Sequence, residues 1–226
     1  MSSNGPKQSL FAEFAAVARA LGHTHRLELL EHLAQGERSV EKLAGLAGLS
    51  VANASQHLKQ LRAAGLVISR REGKFVVYCL ADDGVLAVLA SLRRIAERNV
   101  AEVDRIVRDY FADRDGMEPV SRQELLRRSR EGLTTVLDVR PAEEFALGHL
   151  PGAINIPLTE LESRLAHLDP GQEIVAYCRG AYCVLSYEAV AALRAKGFQA
   201  RRLEEGLPEW RAAGLPVETA NLPGEC

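Results

Sequence analysis

The chain has 226 residues, of which 47% are hydrophobic and 26% are charged, and its formal net charge is -2. This composition excludes a largely disordered chain, and the length favours one large or two ordinary domains. Because no apolar run approaches the roughly 18 residues that span a bilayer, and residues 1–9 lack a signal-peptide pattern, we expect a cytoplasmic protein without a membrane partner.

The two halves of the chain differ in charge. Residues 1–112 hold 15 Lys and Arg against 12 Asp and Glu, whereas residues 113–226 hold 13 against 18. A mildly basic first half is compatible with nucleic acid, but a surplus of this size is more often an ordinary solvated surface. The charge therefore supports DNA binding weakly, and local patterns must decide.

Residues 10–64 predict a series of short helices, of which the last two form a helix-turn-helix. Ser39 can cap one short helix, Gly48 provides a turn, and Ser50 can cap the next helix, which runs to about residue 64 before Gly65.

The helix after Ser50 has an apolar side formed by Ala54, Leu58 and Leu61, and a polar side. Small residues with Asn, Gln and Lys between them suit close approach to base edges and phosphates. We expect five residues here to contact DNA: Ser50, Asn53, Ser55, Gln56 and Lys59.

Two segments rich in β-branched residues follow, at residues 66–71 and 74–80, with a Glu72-Gly73 dipeptide between them. This pattern predicts a hairpin. Three basic residues near its turn can reach the phosphate backbone beside the groove: Arg70, Arg71 and Lys74. The order of elements is that of a mainly α winged helix.

Residues 10–80 resemble the arsenic-repressor (ArsR) type of bacterial regulator, through HRLELL at 25–30, SQHLKQLRAAGLV at 55–67 and the hairpin. The resemblance implies a dimeric transcriptional repressor that binds double-stranded DNA, and a two-fold dimer reads an inverted-repeat operator. Many members sense metals through a Cys-x-Cys pair before the recognition helix or through His and carboxylates in the last helix. Residues 37–42 contain no Cys and residues 82–112 no His, so we expect no metal site.

A stripe with alternating spacings of four and three runs along about 26 residues after the hairpin. Its members are Val85, Leu89, Leu92, Ala96, Asn99, Val103, Ile106 and Tyr110. One interpretation is a long helix that lies on its own domain, and the other is a dimer interface. The single Asn within the stripe favours a homodimer.

Residues 113–119 are polar, contain Gly and Pro and lack periodicity, which indicates a linker. Strand and helix patterns alternate from there on, so the second half is predicted as α/β with a mainly parallel sheet. We therefore expect a DNA-binding and dimerisation domain at 1–112, a linker at 113–119 and an α/β domain at 120–226.

Cys178 stands directly after a buried strand pattern, and a helical pattern resumes at Val184. Open parallel sheets carry their chemistry at the carboxyl ends of strands, where the amides of the next helix favour a thiolate or a bound anion. The loop amides and Arg179 are expected to favour the charged form of the Cys178 thiol.

Five segments resemble a single rhodanese domain that covers about residues 119–218: LDVR at 137–140, EF at 144–145, GHLPGAINIP at 148–157, YCRG at 177–180 and GLPEW at 206–210. The resemblance implies that Cys178 takes sulfane sulfur from a donor, carries it as a persulfide and passes it to a thiol acceptor, without a cofactor. Asp138, Arg140 and Glu144 would then support the surrounding loops, with Arg140 paired with Glu144. Related phosphatases have Arg six positions after the Cys; Val184 stands there, which disfavours oxyanion chemistry.

The loop from Cys178 to Cys183 leaves two interpretations open for its second cysteine. The intervening residues are Arg179, Gly180, Ala181 and Tyr182. Cys183 is either a small buried side chain that opens the helix or a partner that bridges or resolves Cys178, since five residues of separation permit a disulfide. Cys79 is expected in the core of its domain, and the terminal Cys226 supports no inference.

These patterns predict a dimeric DNA-binding regulator whose rhodanese domain accepts sulfane sulfur at Cys178 and senses persulfide or redox state with Cys183. The alternative is an active sulfurtransferase tethered to DNA. A third hypothesis is a degenerate rhodanese that only stabilises the dimer or binds a partner, against which the intact Cys178-Arg179-Gly180 argues.

Overall fold

The computed structural model describes residues 5–111 and 119–219, and the chain divides into two compact units. The first contains the described residues up to Val85, and the second contains those from Leu86 onward. The predicted linker lies outside the described residues apart from Pro119, and the domain division predicted there stays a prediction. None of the helices in the described ranges combines the length and apolar character that a membrane span needs.

The first unit is the predicted winged helix-turn-helix. Its helices are α1 (Pro6–Leu21), α2 (Thr24–Leu33), α3 (Val40–Leu46) and α4 (Val51–Ala63), and its strands are β1 (Arg38–Ser39), β2 (Val67–Glu72) and β3 (Phe75–Leu80). The antiparallel sheet has the order β1-β3-β2. The two-residue strand β1 was not predicted, because two residues carry no periodic pattern.

Caps and glycine turns fix the helix-turn-helix as predicted. The hydroxyl oxygens of Ser39 and Ser50 accept hydrogen bonds from the backbone N–H groups of Lys42 and Asn53, at 3.3 and 3.2 Å. Each satisfies an N-terminal amide that the helix itself leaves without a partner. Gly48 has a φ of 62°, a backbone conformation that favours glycine.

The hairpin is shifted by one residue from the prediction. Its turn consists of Gly73 and Lys74, since Glu72 still pairs with Phe75 in the antiparallel ladder. Gly73 has a φ of 58°, so the turn centres on the residue that adopts a left-handed backbone at least cost.

The stripe predicted along residues 85–110 is divided between two helices, α5 (Gly84–Asn99) and α6 (Ala101–Phe111). The interpretation of the stripe as one long helix meets an interruption at Val100, which lies between the two helices. The Asn99 side-chain amide donates to the Ile95 carbonyl at 2.9 Å, a local bond that competes with the backbone pattern. Several apolar side chains remain exposed along the two helices and at the residue between them: Leu92, Ile95, Val100 and Ile106.

A four-stranded parallel sheet organises the second unit, in the order β5-β4-β6-β7. Its strands are β4 (Thr134–Asp138), β5 (Ile154–Asn155), β6 (Glu173–Tyr177) and β7 (Ala200–Arg202), and its further helices are α7 (Arg122–Arg130), α8 (Ala142–Leu147), α9 (Val184–Ala195) and α10 (Leu207–Ala212). Strands alternate with helices, so the predicted α/β class with a parallel sheet is confirmed.

Two apolar clusters cover the opposite faces of this sheet. Ile174, Ala176 and Cys178 contribute to one cluster together with residues of α9, whereas Val175 and Tyr177 contribute to the other together with residues of α7 and α10. Successive side chains of a strand point to opposite faces, so β6 supplies both cores in alternation. Cys178 thus continues the apolar face that packs against α9.

An ion pair lies fully buried at the carboxyl end of β4. The Arg140 Nη2 atom is 2.6 Å from Asp138 Oδ2, and both side chains have 0% exposure. Loss of one partner leaves a charge without compensation in the interior, which typically costs about 3–5 kcal/mol.

We therefore expect Asp138→Asn to lower the free energy of unfolding of the second unit by about 3–5 kcal/mol. The only tryptophan, Trp210, is buried in this unit, so its fluorescence during urea unfolding measures the effect. Glu102→Gln is the matched control, because Glu102 pairs with Arg105 on the exposed surface of α6. Equal stabilities of the two variants would contradict the assignment of this pair as a central constraint.

Candidate functional site

Cys178 lies at the carboxyl edge of the parallel sheet, directly after β6. Asp138 at the end of β4 pairs in register with Tyr177, so the residues after these two strands emerge side by side. The Cys178 side chain is buried, with 1% exposure, and belongs to the apolar cluster against α9.

Cys178 and Cys183 are joined as a disulfide, with a Cα–Cα distance of 6.1 Å. Cys183 bridges Cys178 in this state, and its side chain also packs against the apolar cluster at the start of α9, so its role in resolving Cys178 stays a prediction. Cys183 also occupies the position before the first residue of α9, and its N–H donates to the Gly180 carbonyl at 3.1 Å. That amide is therefore used within the loop. A disulfide sulfur carries no charge, so the predicted thiolate belongs to the reduced state and stays a prediction.

Arg179 is paired with a buried carboxylate. Its Nη2 and Nε atoms donate to the Glu144 carboxylate at 2.8 and 3.0 Å, and the Glu144 side chain has 2% exposure. The guanidinium charge is thus balanced by α8, which fixes the start of the loop. Arg179 therefore offers the sulfur less net charge than the sequence suggested.

The predicted supporting residues lie together behind the loop. Arg140 donates to the Gly148 carbonyl at 2.7 Å as well as to Asp138. Asn155 donates to the Asp138 and Arg140 carbonyls at 3.0 and 2.9 Å. These bonds connect the segments that follow β4 and α8 to the ends of the strands. They position the site and make no direct contact with the cysteine sulfur.

A tyrosine anchors the adjacent loop from the other face of the sheet. The Tyr177 hydroxyl oxygen accepts a hydrogen bond from the Leu150 N–H at 3.1 Å. Burial, strengthened by the nearby Asp138 charge, raises the pKa of Tyr177 well above its ordinary value. The hydroxyl therefore stays protonated and serves as a fixed link.

Gly206 closely approaches the backbone of the Cys178–Cys183 loop. A Cβ atom at this position would lie 2.4 Å from Gly180 N and 2.6 Å from the Arg179 carbonyl carbon. The next residue, Leu207, donates its N–H to the Cys178 carbonyl at 3.4 Å. In the sequence, Gly206 stood out only as part of the GLPEW segment. Its contact with the loop depends on the tertiary structure, which no local pattern shows.

Two residues of α5 also belong to the surroundings of the loop, and sequence reasoning missed both. The Tyr182 hydroxyl donates to Glu97 Oε1 at 2.5 Å, and Arg93 forms an ion pair with Glu209. Burial, with the hydrogen bond to Glu97, raises the pKa of Tyr182 well above its ordinary value. No local pattern joins residues so far apart in the chain.

The predicted DNA-contacting residues of α4 form an accessible polar side. Asn53, Gln56 and Lys59 are exposed, and Ser55 is half-buried, whereas Ala54, Leu58 and Leu61 are fully buried. Ser50 is exposed, but its hydroxyl caps the helix through Asn53 N–H. The amphipathic division of this helix is as predicted.

The basic residues of the hairpin differ in their surroundings. Arg71 and Lys74 are exposed, whereas Arg70 is half-buried and paired with Glu37 and Glu72. Arg71 Nε donates to the Gly73 carbonyl at 3.2 Å. Arg71 and Lys74 are thus better placed than Arg70 to offer uncompensated charge to a phosphate.

The remaining predictions concern metals and the other cysteines. Among residues 5–111 and 119–219, no group of three or more His, Cys, Asp or Glu side chains is arranged to hold a metal ion. Cys79 is buried in the first unit, as predicted. Cys226 lies outside the described residues.

We expect Gly206→Ala to displace the loop and to lower the stability of the second unit by about 1–3 kcal/mol, because backbone atoms occupy the space that a methyl group needs. Urea unfolding followed by Trp210 fluorescence measures this. Gly180→Ala is the matched control, since a Cβ there would meet its nearest neighbours, Arg93 and Glu209, at an ordinary 3.7 Å. A Gly206→Ala variant as stable as Gly180→Ala would refute the close approach.

Comparisons with known proteins agree with both units. The rhodanese-like domain family matches residues 121–213, and the bacterial regulatory protein family arsR matches residues 23–69. HTH-type transcriptional regulator Rv0324 of Mycobacterium tuberculosis is 44% identical over 212 residues, which cover 94% of this chain and 93% of that protein.

Two further relatives cover one part of the chain each. A sulfurtransferase of Allochromatium vinosum is 30% identical over 83 residues, which cover 36% of this chain and 76% of that protein. The solution structure of a homodimeric winged helix-turn-helix DNA-binding domain from Mycobacterium bovis is 35% identical, covers 44% of this chain and 93% of that chain, and has a TM-score of 0.41. On the similarity that extends over nearly its whole length, the chain belongs to the ArsR family of transcriptional regulators and carries a C-terminal rhodanese domain.

Proposed function

We propose that this regulator is a repressor that senses sulfane sulfur through Cys178 and Cys183. The observation that carries the proposal is the position of the two cysteines, which are bonded to each other at the carboxyl edge of the rhodanese sheet with a Cα–Cα distance of 6.1 Å. Two thiols so placed can trap the product of one sulfur transfer as a stable covalent state.

The chemistry takes two exchange steps. The Cys178 thiolate attacks the outer sulfur of a persulfide donor R–S–SH, the donor S–S bond breaks, and the donor leaves as the thiol R–SH. The Cys183 thiolate then attacks Cys178 Sγ, and the outer sulfur leaves as hydrogen sulfide while the protein disulfide forms. Two protein thiols are oxidised, and the sulfane sulfur is reduced to sulfide.

In this proposal the first unit binds DNA. Asn53, Gln56 and Lys59 face outward from α4, and the basic Arg71 and Lys74 stand beside the hairpin turn. An α-helix fits the major groove, and the hairpin can contact the adjacent phosphates. Under this proposal, α4 would read base edges and the hairpin would bind phosphates.

We further propose that the protein acts as a homodimer on an inverted repeat. The related winged helix domain from Mycobacterium bovis is described as homodimeric. In this chain, Leu10, Phe11 and Phe14 of α1 and Ile95 of α5 expose large apolar side chains, of the kind that a second subunit covers.

A sulfurtransferase that turns over while bound to DNA is the second candidate, and the similarity to the sulfurtransferase of Allochromatium vinosum favours it. The bonded state disfavours it, because a disulfide removes the nucleophile until a reductant restores it. Continuous thiosulfate-to-cyanide turnover that is lost in Cys178→Ala would support this candidate over a sensor.

The sensing proposal predicts one outcome for each cysteine variant after treatment of the reduced protein with a polysulfide. Intact mass should fall by two hydrogen atoms in the wild type, rise by whole sulfur atoms on Cys178 in Cys183→Ser, and stay unchanged at this loop in Cys178→Ser. Affinity for a duplex selected from a random library should change by about 5- to 150-fold in the wild type, the range of a coupling of 1–3 kcal/mol. Unchanged wild-type affinity would refute sensing.

The DNA-binding surface generates a separate prediction on the same selected duplex. We expect Lys59→Ala to weaken binding to all sequences and to reduce the salt dependence by about one ion per half-site, whereas Gln56→Ala should cost about 1–3 kcal/mol and relax preference at one position. Lys196→Ala is the charge-matched control, because Lys196 is exposed on the second unit. Equal losses in Lys59→Ala and Lys196→Ala would refute a specific contact.

A further inference from the structure

Helix α5 contacts the Cys178–Cys183 loop directly through one of its carboxylates. The Tyr182 hydroxyl donates to Glu97 Oε1 at 2.5 Å, and Tyr182 is the residue immediately before Cys183. The Glu97 and Tyr182 side chains are both partly buried, so the bond is made where water competes less. A hydrogen bond to an ionised acceptor is also about twice as strong as a neutral one.

A second contact from the same helix reaches the other end of the loop through one intermediate residue. Arg93, one turn before Glu97 on α5, forms an ion pair with Glu209. Glu209 Oε2 accepts the N–H of Gly206 at 2.8 Å, and Gly206 leaves no space for a Cβ atom against Gly180. Through this chain of contacts Arg93 holds the backbone beside Arg179 and Gly180.

We propose that Glu97 and Arg93 are positioning residues for the Cys178–Cys183 pair, so that helix α5 sets how readily the disulfide opens. Two sets of contacts restrain the four residues between the cysteines. Glu97 accepts the hydrogen bond of Tyr182, and Arg93 acts on Gly180 through its ion pair with Glu209 and the Gly206 backbone. An equilibrium between dithiol and disulfide shifts toward the state in which the surrounding contacts are better satisfied. These contacts are made in the disulfide state, and the proposal requires that the dithiol state makes them less well.

The coupling operates in both directions. If the contacts of α5 favour the disulfide, then formation of the disulfide favours the same placement of α5, by thermodynamic linkage. Helix α5 begins at Gly84, within the unit that holds the winged helix, and continues through Arg93 and Glu97 in the unit that holds the rhodanese sheet. One continuous helix therefore carries the loop contacts and the covalent connection to the DNA-binding unit. This step rests on the proposed sensing function.

The first test measures the dithiol–disulfide equilibrium of full-length protein in glutathione buffers, with the Cys178–Cys183 state quantified by thiol alkylation and peptide mass. Tyr182→Phe removes only the hydroxyl, and Glu97→Ala removes its acceptor. Each variant should shift the equilibrium constant toward the dithiol by about tenfold, which is the effect expected from the loss of one charge-assisted hydrogen bond. Glu97→Gln keeps an acceptor oxygen and should restore part of the loss. Trp210 fluorescence confirms that every variant is folded.

Two controls separate positioning from a general effect of charge or stability. Glu102→Ala removes a carboxylate from the next helix, where it pairs with exposed Arg105 and not with the loop, and should leave the equilibrium within about twofold of wild type. The double variant Tyr182→Phe/Glu97→Ala should lose no more than Glu97→Ala alone, because Glu97→Ala already removes the bond to Tyr182 together with the ion pair between Glu97 and Arg93 at 3.9 Å. A wild-type equilibrium in Tyr182→Phe, or additive losses in the double variant, would overturn the positioning role.

The second test is operator affinity of the reduced and oxidised forms on the selected duplex. The ratio of the two affinities should fall toward one in Tyr182→Phe and keep its wild-type value in Glu102→Ala. A ratio of one in the wild type would end the sensing function and leave the redox test of positioning intact. If Tyr182→Phe alters the redox equilibrium but keeps the wild-type ratio of operator affinities, the Tyr182–Glu97 bond does not transmit the sulfur state to the DNA-binding unit.

Discussion

The parallel register between β4 and β6 is the constraint on which the second unit depends. It pairs Asp138 with Tyr177, so that the loops after both strands leave the sheet at the same edge. The buried Asp138–Arg140 pair then fixes the loop after β4, and Cys178 follows Tyr177 into the site. A slip of one residue would move Cys178 from the face packed against α9 to the opposite face, because side chains alternate along a strand.

The charges beside the sulfur pair are almost all balanced by neighbours. Glu144 holds Arg179, and Glu209 holds Arg93. A basic residue next to a reactive thiol is usually taken as the source of its acidity. Here the guanidinium of Arg179 is paired with Glu144, so it fixes the position of the loop and adds little net charge beside the sulfur.

Sequence patterns predicted the elements that depend on local chemistry. Ser39, Ser50 and Gly48 marked the helix-turn-helix because caps and left-handed turns have specific residue requirements, and Cys178 was placed by the end of an apolar strand. The interruption at Val100 was missed because no Gly or Pro marks it in the sequence. The contact of Glu97 with Tyr182 was beyond reach, since no periodicity relates two such distant segments.

The same distinction between locally encoded residues and contacts from distant segments separates two proposed roles of the Cys178–Cys183 loop, which are sulfur transfer and a response coupled to α5. Cys178, Arg179 and Gly180, which resemble the rhodanese motif, are adjacent in the sequence, and in the proposed function they fix where sulfur is accepted. Glu97 and Arg93, which are proposed to make this loop responsive to another element, lie on α5, outside the residues that the rhodanese-like domain family matches. Sulfur transfer needs the first set alone, whereas a coupled response needs both sets. If α5 holds the loop as proposed, the rhodanese unit is better suited to report a sulfur state than to turn over freely.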